Sequence, residues 1–538
     1  VSSRSYAPRS ITLAAVQAAI LLLCFGSGLL LDHFALPGPG IVVLAMVLGL
    51  TLGRSRRHNG TRQRLAALIT LPLIAVACTE IGRLFFQHPT LADTLFTLGL
   101  GLSIWLRRFG PWGLRIGSLI ATPFLAVLVT PVPVLPGAQP SVDRAMLWSA
   151  VASVIAFLWV WIVQETVTRL GLLPMPPTEA KRAAAQSGAR IPVSDRMAAQ
   201  MVLSLALAFV IGRSFFSTHW TWIVITAFIV NSGNRGRGDV AHKSVLRVVG
   251  ASVGTVAATL LSGLFPPGDS IAIVAILILI TLGNWLRTFS YTYWAGCVTA
   301  VLALLQGYFG HSDVGLIGER LLQIVLGGAL SVAVAWFVLP VKSRAVLRRR
   351  IADCLAPLTD ALVAARRSPG DVAEYQRSFE QGLAALAEVA PTFTAHRRLH
   401  RLRRAGVGHP ADAIDAVQGC AEPLSVLAAE AKQSPRAFAE PAMAGLLGAV
   451  TGNVVAARRF IGRRPDAHYR QPPDEFDQSE HGAVLEHSTV IASLRRIDEH
   501  MRVICEVGWG GNQLHAPAHG GQESRGAPAG TRAGAADG

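Results

Sequence analysis

Charge is scarce in this chain: Asp, Glu, Lys and Arg make up 15% of the 538 residues, and only 33 residues are acidic. Soluble domains carry about 25% charged residues, so a fold bathed in water on every side is excluded for most of the sequence. Cysteine is sparse and unpaired in pattern. Cys24, Cys78, Cys297, Cys354, Cys420 and Cys505 form no C-x-x-C motif, which excludes a zinc ribbon, a thioredoxin-like centre and a disulfide framework. They read as small apolar residues. A phosphate loop is missing too: Gly236-Arg-Gly-Asp239-Val-Ala-His-Lys243-Ser244 ends in Lys-Ser but lacks the Gly before the Lys that lets backbone wrap a phosphate. No ATPase is therefore expected, and the chain does not read as an enzyme. The net charge of +16 and pI of 10.5 come without zinc-finger or RNA-binding signatures, so no nucleic-acid partner is expected. No cofactor or metal is expected either.

What the chain has in abundance is apolar length. It is 51% hydrophobic with a mean hydropathy of +0.43, and nearly all of the excess lies before Pro340. Apolar runs fall at about 11–31, 38–53, 65–86, 89–106, 112–130 and 145–164, then at about 197–216, 219–232, 247–264, 271–286, 291–309 and 316–340. About 20 apolar residues cross a bilayer as a helix, because backbone groups in hydrocarbon must satisfy one another. The expected class is all-α: a polytopic transmembrane protein of two six-helix halves followed by a cytoplasmic helical domain. The boundaries read as 1–172 for the first half, 173–196 for a Pro-rich charged linker, 197–341 for the second half, 342–509 for the cytoplasmic domain and 510–538 for a disordered Gly, Ala and Pro-rich tail. The first run, behind Arg4 and Arg9, reads as a retained span, being longer than the apolar stretch of a typical leader.

Arg and Lys fall in alternate connections: Arg54, Arg56, Arg57, Arg62 and Arg64; Arg107 and Arg108; Lys181 and Arg182; Arg235, Arg237 and Lys243. Cationic loops stay in the cytoplasm, which places both termini there, in a plasma-membrane protein. Asp32, His33, His88, Asp143, Asp269, His311 and Asp313 mark the opposite face, with Arg144, Arg213 and Arg320 as exceptions. Asn59-Gly-Thr61 matches a glycosylation acceptor only in letters, since its basic loop belongs to the cytoplasm. Gln17, the Arg54 to Arg57 cluster and Arg64 recur at closely similar separations as Gln200, Arg235 with Arg237, and Arg247. An even number of spans per half makes this a parallel repeat, and transporters built that way commonly hold substrate between the halves.

After Pro340 the pattern changes. Leu347, Ile351, Leu355, Leu358 and Leu362, and later Val490, Leu494, Ile497, Met501 and Ile504, each lay one apolar stripe along a helix. Breaks are expected at Pro357, Pro369, Pro391, Pro410 and Pro435, and the helix over 343–367 is expected to continue the last span. His396 and His400 have metal-ligand spacing, but five nearby arginines oppose a cation, so the segment reads as a basic helix facing solvent or lipid.

The most informative local sequence is His219-Trp-Thr-Trp-Ile-Val-Ile-Thr226, then Asn231, Arg235-Gly-Arg-Gly-Asp239 and Arg247-Val-Val-Gly250-Ala-Ser-Val-Gly254. It resembles the fusaric acid resistance protein-like family, also called the integral membrane bound transporter domain, over about residues 200–340. In that family a span opening on His, an aromatic residue and Trp runs through a basic loop to Arg-x-x-Gly-Thr-x-x-Gly. Trp222, Thr226, Arg247, Gly250 and Gly254 match, while Ala251 stands where Thr is usual. Family members look like exporters of aromatic carboxylic acids, and plant relatives include malate-conducting anion channels.

The resemblance implies efflux of small organic anions; with no nucleotide site, a proton gradient is the expected drive. A passive anion channel and a non-transporting scaffold whose cytoplasmic domain binds a partner stay open as alternatives, as does a homo-oligomer. Arg247, at the expected start of a span where the helix dipole opposes a cation, needs an anion or a headgroup to compensate it. With His219, Trp220, Trp222 and Thr226 it makes the candidate substrate pathway. Glu80 and Asp93 are ionisable groups inside spans and the candidates for proton coupling, although Glu80 can also be neutralised by Arg83 one turn on. Arg213, Glu319 and Arg320 read as interfacial. Gly250 and Gly254 read as a helix-packing face. Trp220, Trp222, Trp285, Tyr291, Tyr293 and Trp294 read as interfacial belts.

Overall fold

A computed structural model describes residues 6–35, 39–54, 61–129, 142–172, 192–216, 219–262, 265–308, 316–401, 408–435, 438, 440–464, 468–472 and 488–507. Most of the linker expected at 173–196 and the tail expected at 510–538 lie outside them. The chain divides into two compact units, Val1–Leu347 and Arg348–Gly538.

Each apolar run of the first unit becomes one helix: α1 (Tyr6–Ala35), α2 (Pro39–Arg54), α3 (Thr61–Gln87), α4 (Pro89–Trp105), α5 (Gly110–Val129), α6 (Val142–Arg169), α7 (Val193–Phe215), α8 (Thr221–Asn231), α9 (Arg237–Ser262), α10 (Ser270–Leu286), α11 (Tyr291–Tyr308) and α12 (Leu316–Phe337). The protein is an all-α polytopic membrane protein. Eight of these helices, α1, α3 to α7, α9 and α12, are long and apolar enough to cross a bilayer unaided. Pro72 in α3 and Pro123 in α5 sit inside their helices, tolerated because neighbouring helices and hydroxyl side chains can satisfy the freed carbonyls in a membrane bundle.

The expectation of twelve equivalent crossings is corrected: α2, α8 and α10 are shorter apolar helices, α8 most of all. α8 has only 11 residues, about 17 Å of helix at 1.5 Å per residue, roughly half of a hydrocarbon core. Its run is cut short by His219 and Trp220 at one end and by Asn231 and Gly233, which turns the chain at φ 63°, at the other. Nine of the 11 residues are buried, so α8 is a short central helix shielded by α7, α9 and α12. Its counterpart in the first half, α2, is also short, with 16 residues. Short apolar segments at corresponding positions of two repeats mark where transporters place their sites.

The pairing of helices shows the repeat. α1 packs on α2, α2 on α6, α3 on α5 and on α6, α4 on α5, and α1 on α6; in the second half α7 packs on α8, α8 on α12, α9 on α11 and on α12, α10 on α11, and α7 on α12. The halves meet along two related seams, α4 on α7 and α10 on α1. The first seam is filled by Ala92, Phe96, Leu100, Leu205, Ala208 and Phe209, all almost wholly buried.

Within the second half, α9 and α11 touch backbone to backbone. A Cβ built on Gly254 would lie 2.2 Å from the Gly296 carbonyl oxygen, and one on Gly250 would lie 2.4 Å from that of Thr292. Small residues permit this approach, and dispersion then holds helices together where lipid supplies no hydrophobic drive.

In the second unit the two apolar stripes are fully buried, from Leu347 to Leu362 and from Val490 to Ile504. The helices are α13 (Ser343–Arg367, entered from the first unit), α14 (Val372–Ala387), α15 (Ala390–Arg401), α16 (Pro410–Gly419), α17 (Ala421–Gln433), α18 (Pro441–Ile461) and α19 (Ser488–Glu506). α19 is central, packing on α16, α17 and α18. Two expectations are corrected. α13 does not continue α12, because the chain turns through Leu339 at φ 45° just before Pro340. Pro357 lies inside α13 without ending it; the cost of about 3 kcal/mol for an interior proline is outweighed by the buried stripe on both sides of it. His396 and His400 gather with His409, whose Nε2 lies 2.8 Å from His396 Nδ1, and Arg397 is drawn to Asp412 and Asp415 rather than to solvent or lipid. Among the described residues no group of three potential ligands is placed to hold a metal.

Two predictions follow from this packing. Gly254→Ala has no side chain to push aside, only the α11 backbone, so it should lower the thermal midpoint of the detergent-purified protein by the equivalent of about 1–3 kcal/mol. Gly26→Ala, with nothing within 4 Å, should not lower it. The second concerns His409, which caps α16 by accepting from the Ala411 N–H and whose pKa is pushed down to about 4 by burial and then by the neighbouring His396. The unfolded state then binds the extra proton, so stability is full above about pH 6.5 and is lost as pH falls from there toward 4. Hydrogen exchange of the α16 amides in the full chain should show less protection at pH 5 than at pH 7, corrected for intrinsic rates. His409→Asn, which keeps a cap acceptor, should reduce that difference.

Candidate functional site

Arg247 does not open its helix. α9 begins at Arg237, which puts Arg247 well inside it, so the opposing helix dipole expected from the sequence does not act there. Burial does. Arg247 is 1% exposed, the bulkiest of the fully buried side chains, and its Nε and Nη2 have no hydrogen-bond partner. The reach to lipid headgroups that a snorkelling arginine needs is absent from this packing. No ion pair to Arg247 is found among the described residues, and its electrostatic neighbour is Tyr291 at the start of α11. That neighbour is held in place by the glycine contact, since Gly250, three residues beyond Arg247, packs on Thr292. The Tyr291 hydroxyl is likewise buried without a partner, and Arg287, which caps the C-terminal end of α10, is its second cationic neighbour.

The repeat supplies an internal comparison. Arg64, which sequence spacing pairs with Arg247 but which lies in the first turn of α3 rather than ten residues into its helix, is partly exposed, pairs with Glu165 of α6 at 3.1 Å and lies over the Trp161 ring at 5.3 Å. The first-half arginine is neutralised, whereas the second-half arginine is not. A buried guanidinium without an anion is costly, and the arrangement is chemically suited to take a carboxylate in the two-pronged geometry that guanidinium offers.

The other candidate residues separate into two groups. Thr226, on α8, is fully buried with an unpartnered Oγ1 and packs against Gly327 of α12. Trp222, one turn earlier, is 2% exposed rather than interfacial and packs with Ala251, Leu302 and Ile324. The Arg320 guanidinium lies 4.5 Å from its ring centroid and donates to Gln306. His219 faces Glu319 at 3.9 Å, and Glu319 accepts from Gln323 at 3.0 Å.

Trp220 belongs elsewhere: it packs with Phe85 and Phe209 under Arg213, whose guanidinium is 4.3 Å from its ring. Arg213 donates twice to Asp93, at 2.6 and 2.8 Å, tying α7 to α4 across the seam between the halves. Glu80 is bound by Arg83 at 2.8 Å within α3. Arg213 and Arg320 are thus engaged inside the bundle rather than solvated at an interface.

Residues 203–334 match the family model described as fusaric acid resistance protein-like. The match falls within the second half. A curated relative, the multidrug resistance protein MdtO of Escherichia coli (strain K12), is 29% identical over 212 residues, which cover 37% of this chain and 30% of the relative. The chain therefore spans under a third of that relative's length. No solved structure matches. Within the matched segment, Trp222 and Thr226 lie on α8 and Arg247, Gly250 and Gly254 on α9, with α11 packed on α9 and α12 packed on both α8 and α9.

Arg287 was not among the residues singled out from the sequence, although a signal was present. Trp105-Leu-Arg107-Arg-Phe109 after α4 and Trp285-Leu-Arg287-Thr-Phe289 after α10 share a Trp-Leu-Arg-x-Phe pattern, and in both the Trp and Phe rings meet edge to face, at 5.2 and 5.6 Å. Tyr291 was taken for a belt residue because nothing local marks its burial. The Asp93–Arg213 pair joins residues 120 positions apart, beyond any local pattern. Asp93→Ala and Arg213→Ala should each destabilise the purified protein by about 1–3 kcal/mol, since each leaves a half-buried charge without its partner. The double variant should lose less than the sum, as measured by thermal unfolding in detergent.

Proposed function

We propose that the protein exports small organic anions, aromatic carboxylates among them, across the plasma membrane. The observation that carries this reading is Arg247: a guanidinium buried to 1% exposure in a membrane helix, with two unpartnered nitrogens and no counter-charge among the described residues. Arg235 and Lys243 flank its approach from the basic connections, together with Arg287, and positive-inside reasoning assigns that face and both termini to the cytoplasm. Cationic residues there concentrate anions and steer them inward. The fusaric acid resistance protein-like match and the likeness to a multidrug resistance protein support export as the direction.

Asp93 is the better of the two proton carriers. Its pair with Arg213 crosses the seam between halves, so taking up a proton weakens a contact that holds α4 to α7. Glu80 pairs within its own helix, and its protonation would loosen nothing between the halves.

Efflux from loaded cells, measured with a panel of aromatic and aliphatic acids, tests the reading. Arg247→Ala should cut carboxylate efflux at least tenfold at equal expression, and Arg247→Lys, which keeps the charge but not the fork, should retain part of it. Asp93→Asn should leave a flux that no longer follows an imposed pH gradient. Efflux unchanged in Arg247→Ala overturns the proposal. Wild-type flux that follows voltage alone, indifferent to the pH gradient, indicates a passive anion channel instead.

A further inference from the structure

The side-chain nitrogen and oxygen atoms that are buried without a hydrogen-bond partner are not spread evenly. Among the described residues Arg107 Nε alone belongs to the first half; every other one comes from residues 196–323. Several lie in sequence along the inside of the second half. Tyr291 OH and Arg247 Nε and Nη2 are nearest the basic connections, Thr226 Oγ1 follows on α8, Thr255 Oγ1 two turns beyond Arg247 on α9, and Gln323 Oε1 and Arg320 Nε come last on α12. Thr226, Thr255, Arg247 and Gln323 are each 0–1% exposed. Buried polar atoms are nearly always paired with protein, water or ligand, so a row of them through one bundle marks a hydrated or ligand-bearing path.

The seam between the halves has the opposite character. α4 and α7 meet through Ala92, Phe96, Leu100, Leu205, Ala208 and Phe209, and the rings of Phe85, Phe96, Phe209 and Trp220 stack against one another at 5.1–5.9 Å. Asp93 and Arg213 occupy one end of it and are spent on each other. The second seam joins α10 to α1, two helices that are almost wholly apolar where they run through the membrane. A carboxylate would meet little in either seam to replace its water.

We propose that the anion passes through the second half itself, enclosed by α8, α9, α11 and α12, from a first station at Arg247 to a second carboxylate station at Arg320. This rests on the export reading and departs from the expectation that substrate sits between the halves. Arg320 is suited to the role. Its guanidinium carbon lies 4.5 Å from the Trp222 ring centroid, one nitrogen donates to the neutral Gln306, and its Nε is unpartnered. The nearby carboxylate of Glu319 is turned toward Gln323 and His219. Two guanidinium stations separated by neutral donors and acceptors bind an anion firmly enough to admit it and weakly enough to release it.

The test uses the full chain in liposomes, with the six native cysteines replaced and single cysteines placed at Thr226, Thr255, Ala92 and Ala208. An anionic methanethiosulfonate reagent is the probe and benzoate the competitor. Thr226→Cys and Thr255→Cys should be modified, with benzoate slowing the reaction several-fold, while Ala92→Cys and Ala208→Cys should not react. Adding Arg320→Gln should abolish benzoate protection at Thr255→Cys, and Arg320→Lys should keep part of it. Modification of the seam positions, or none at Thr226→Cys and Thr255→Cys, overturns the route. Labelling does not depend on flux, so modified path positions in a protein that exports no acid count against the export reading instead.

Discussion

A guanidinium kept from water inside a bundle that lipid surrounds is the constraint on which the rest of this structure turns. Dehydrating such a charge costs several kcal/mol, and Arg247 is given no carboxylate among the described residues to offset it. Its surroundings are nevertheless well determined. The glycine contact between α9 and α11 fixes Tyr291 beside it, and the short α8 brings Trp222 and Thr226 into the same bundle. Arg64, the arginine matched to it by sequence spacing, has Glu165, whereas Arg247 has no such partner among the described residues.

The two halves share a plan and differ in use. Most helix pairs correspond, down to the reciprocal seams α4 on α7 and α10 on α1, while α2 on α5 and α3 on α4 belong to the first half alone. In the first half Arg64 and Arg83 on α3 find Glu165 and Glu80. Among the described residues the second concentrates the unpartnered buried polar atoms and contains the segment that matches the fusaric acid resistance protein-like model. The Asp93–Arg213 pair then couples one to the other at the face opposite the basic connections.

Much of the fold could be read from the sequence because hydrocarbon leaves the backbone little choice. Twelve apolar runs gave twelve helices, and the stripes Leu347 to Leu362 and Val490 to Ile504 gave buried faces. Length was legible less reliably: the run over 219–232 reads as a crossing until Gly233 and Trp220 are seen to bound only 11 helical residues. For the site, chemistry was legible and environment was not. The match of Arg247, Gly250 and Gly254 to a family pattern draws attention to α9, but the dipole reasoning fails because α9 starts ten residues before Arg247. Trp222 and Tyr291 were placed in belts since aromatic residues near span ends usually are; only tertiary packing shows that they face inward. Pairs such as Asp93 with Arg213 depend on which helices become neighbours, and no local window contains that information.

The even number of helices in each half has a bearing on ancestry. Because α4 packs on α7 and α10 packs on α1, a polypeptide encoding one half alone would carry both edges of such a surface. Two copies would close around a twofold axis along the membrane normal, each offering its fourth helix to the other's first. Fusing the two genes frees the copies to drift apart, which a symmetric pair cannot do, and a single uncompensated arginine is the kind of feature only the fused form can keep on one side.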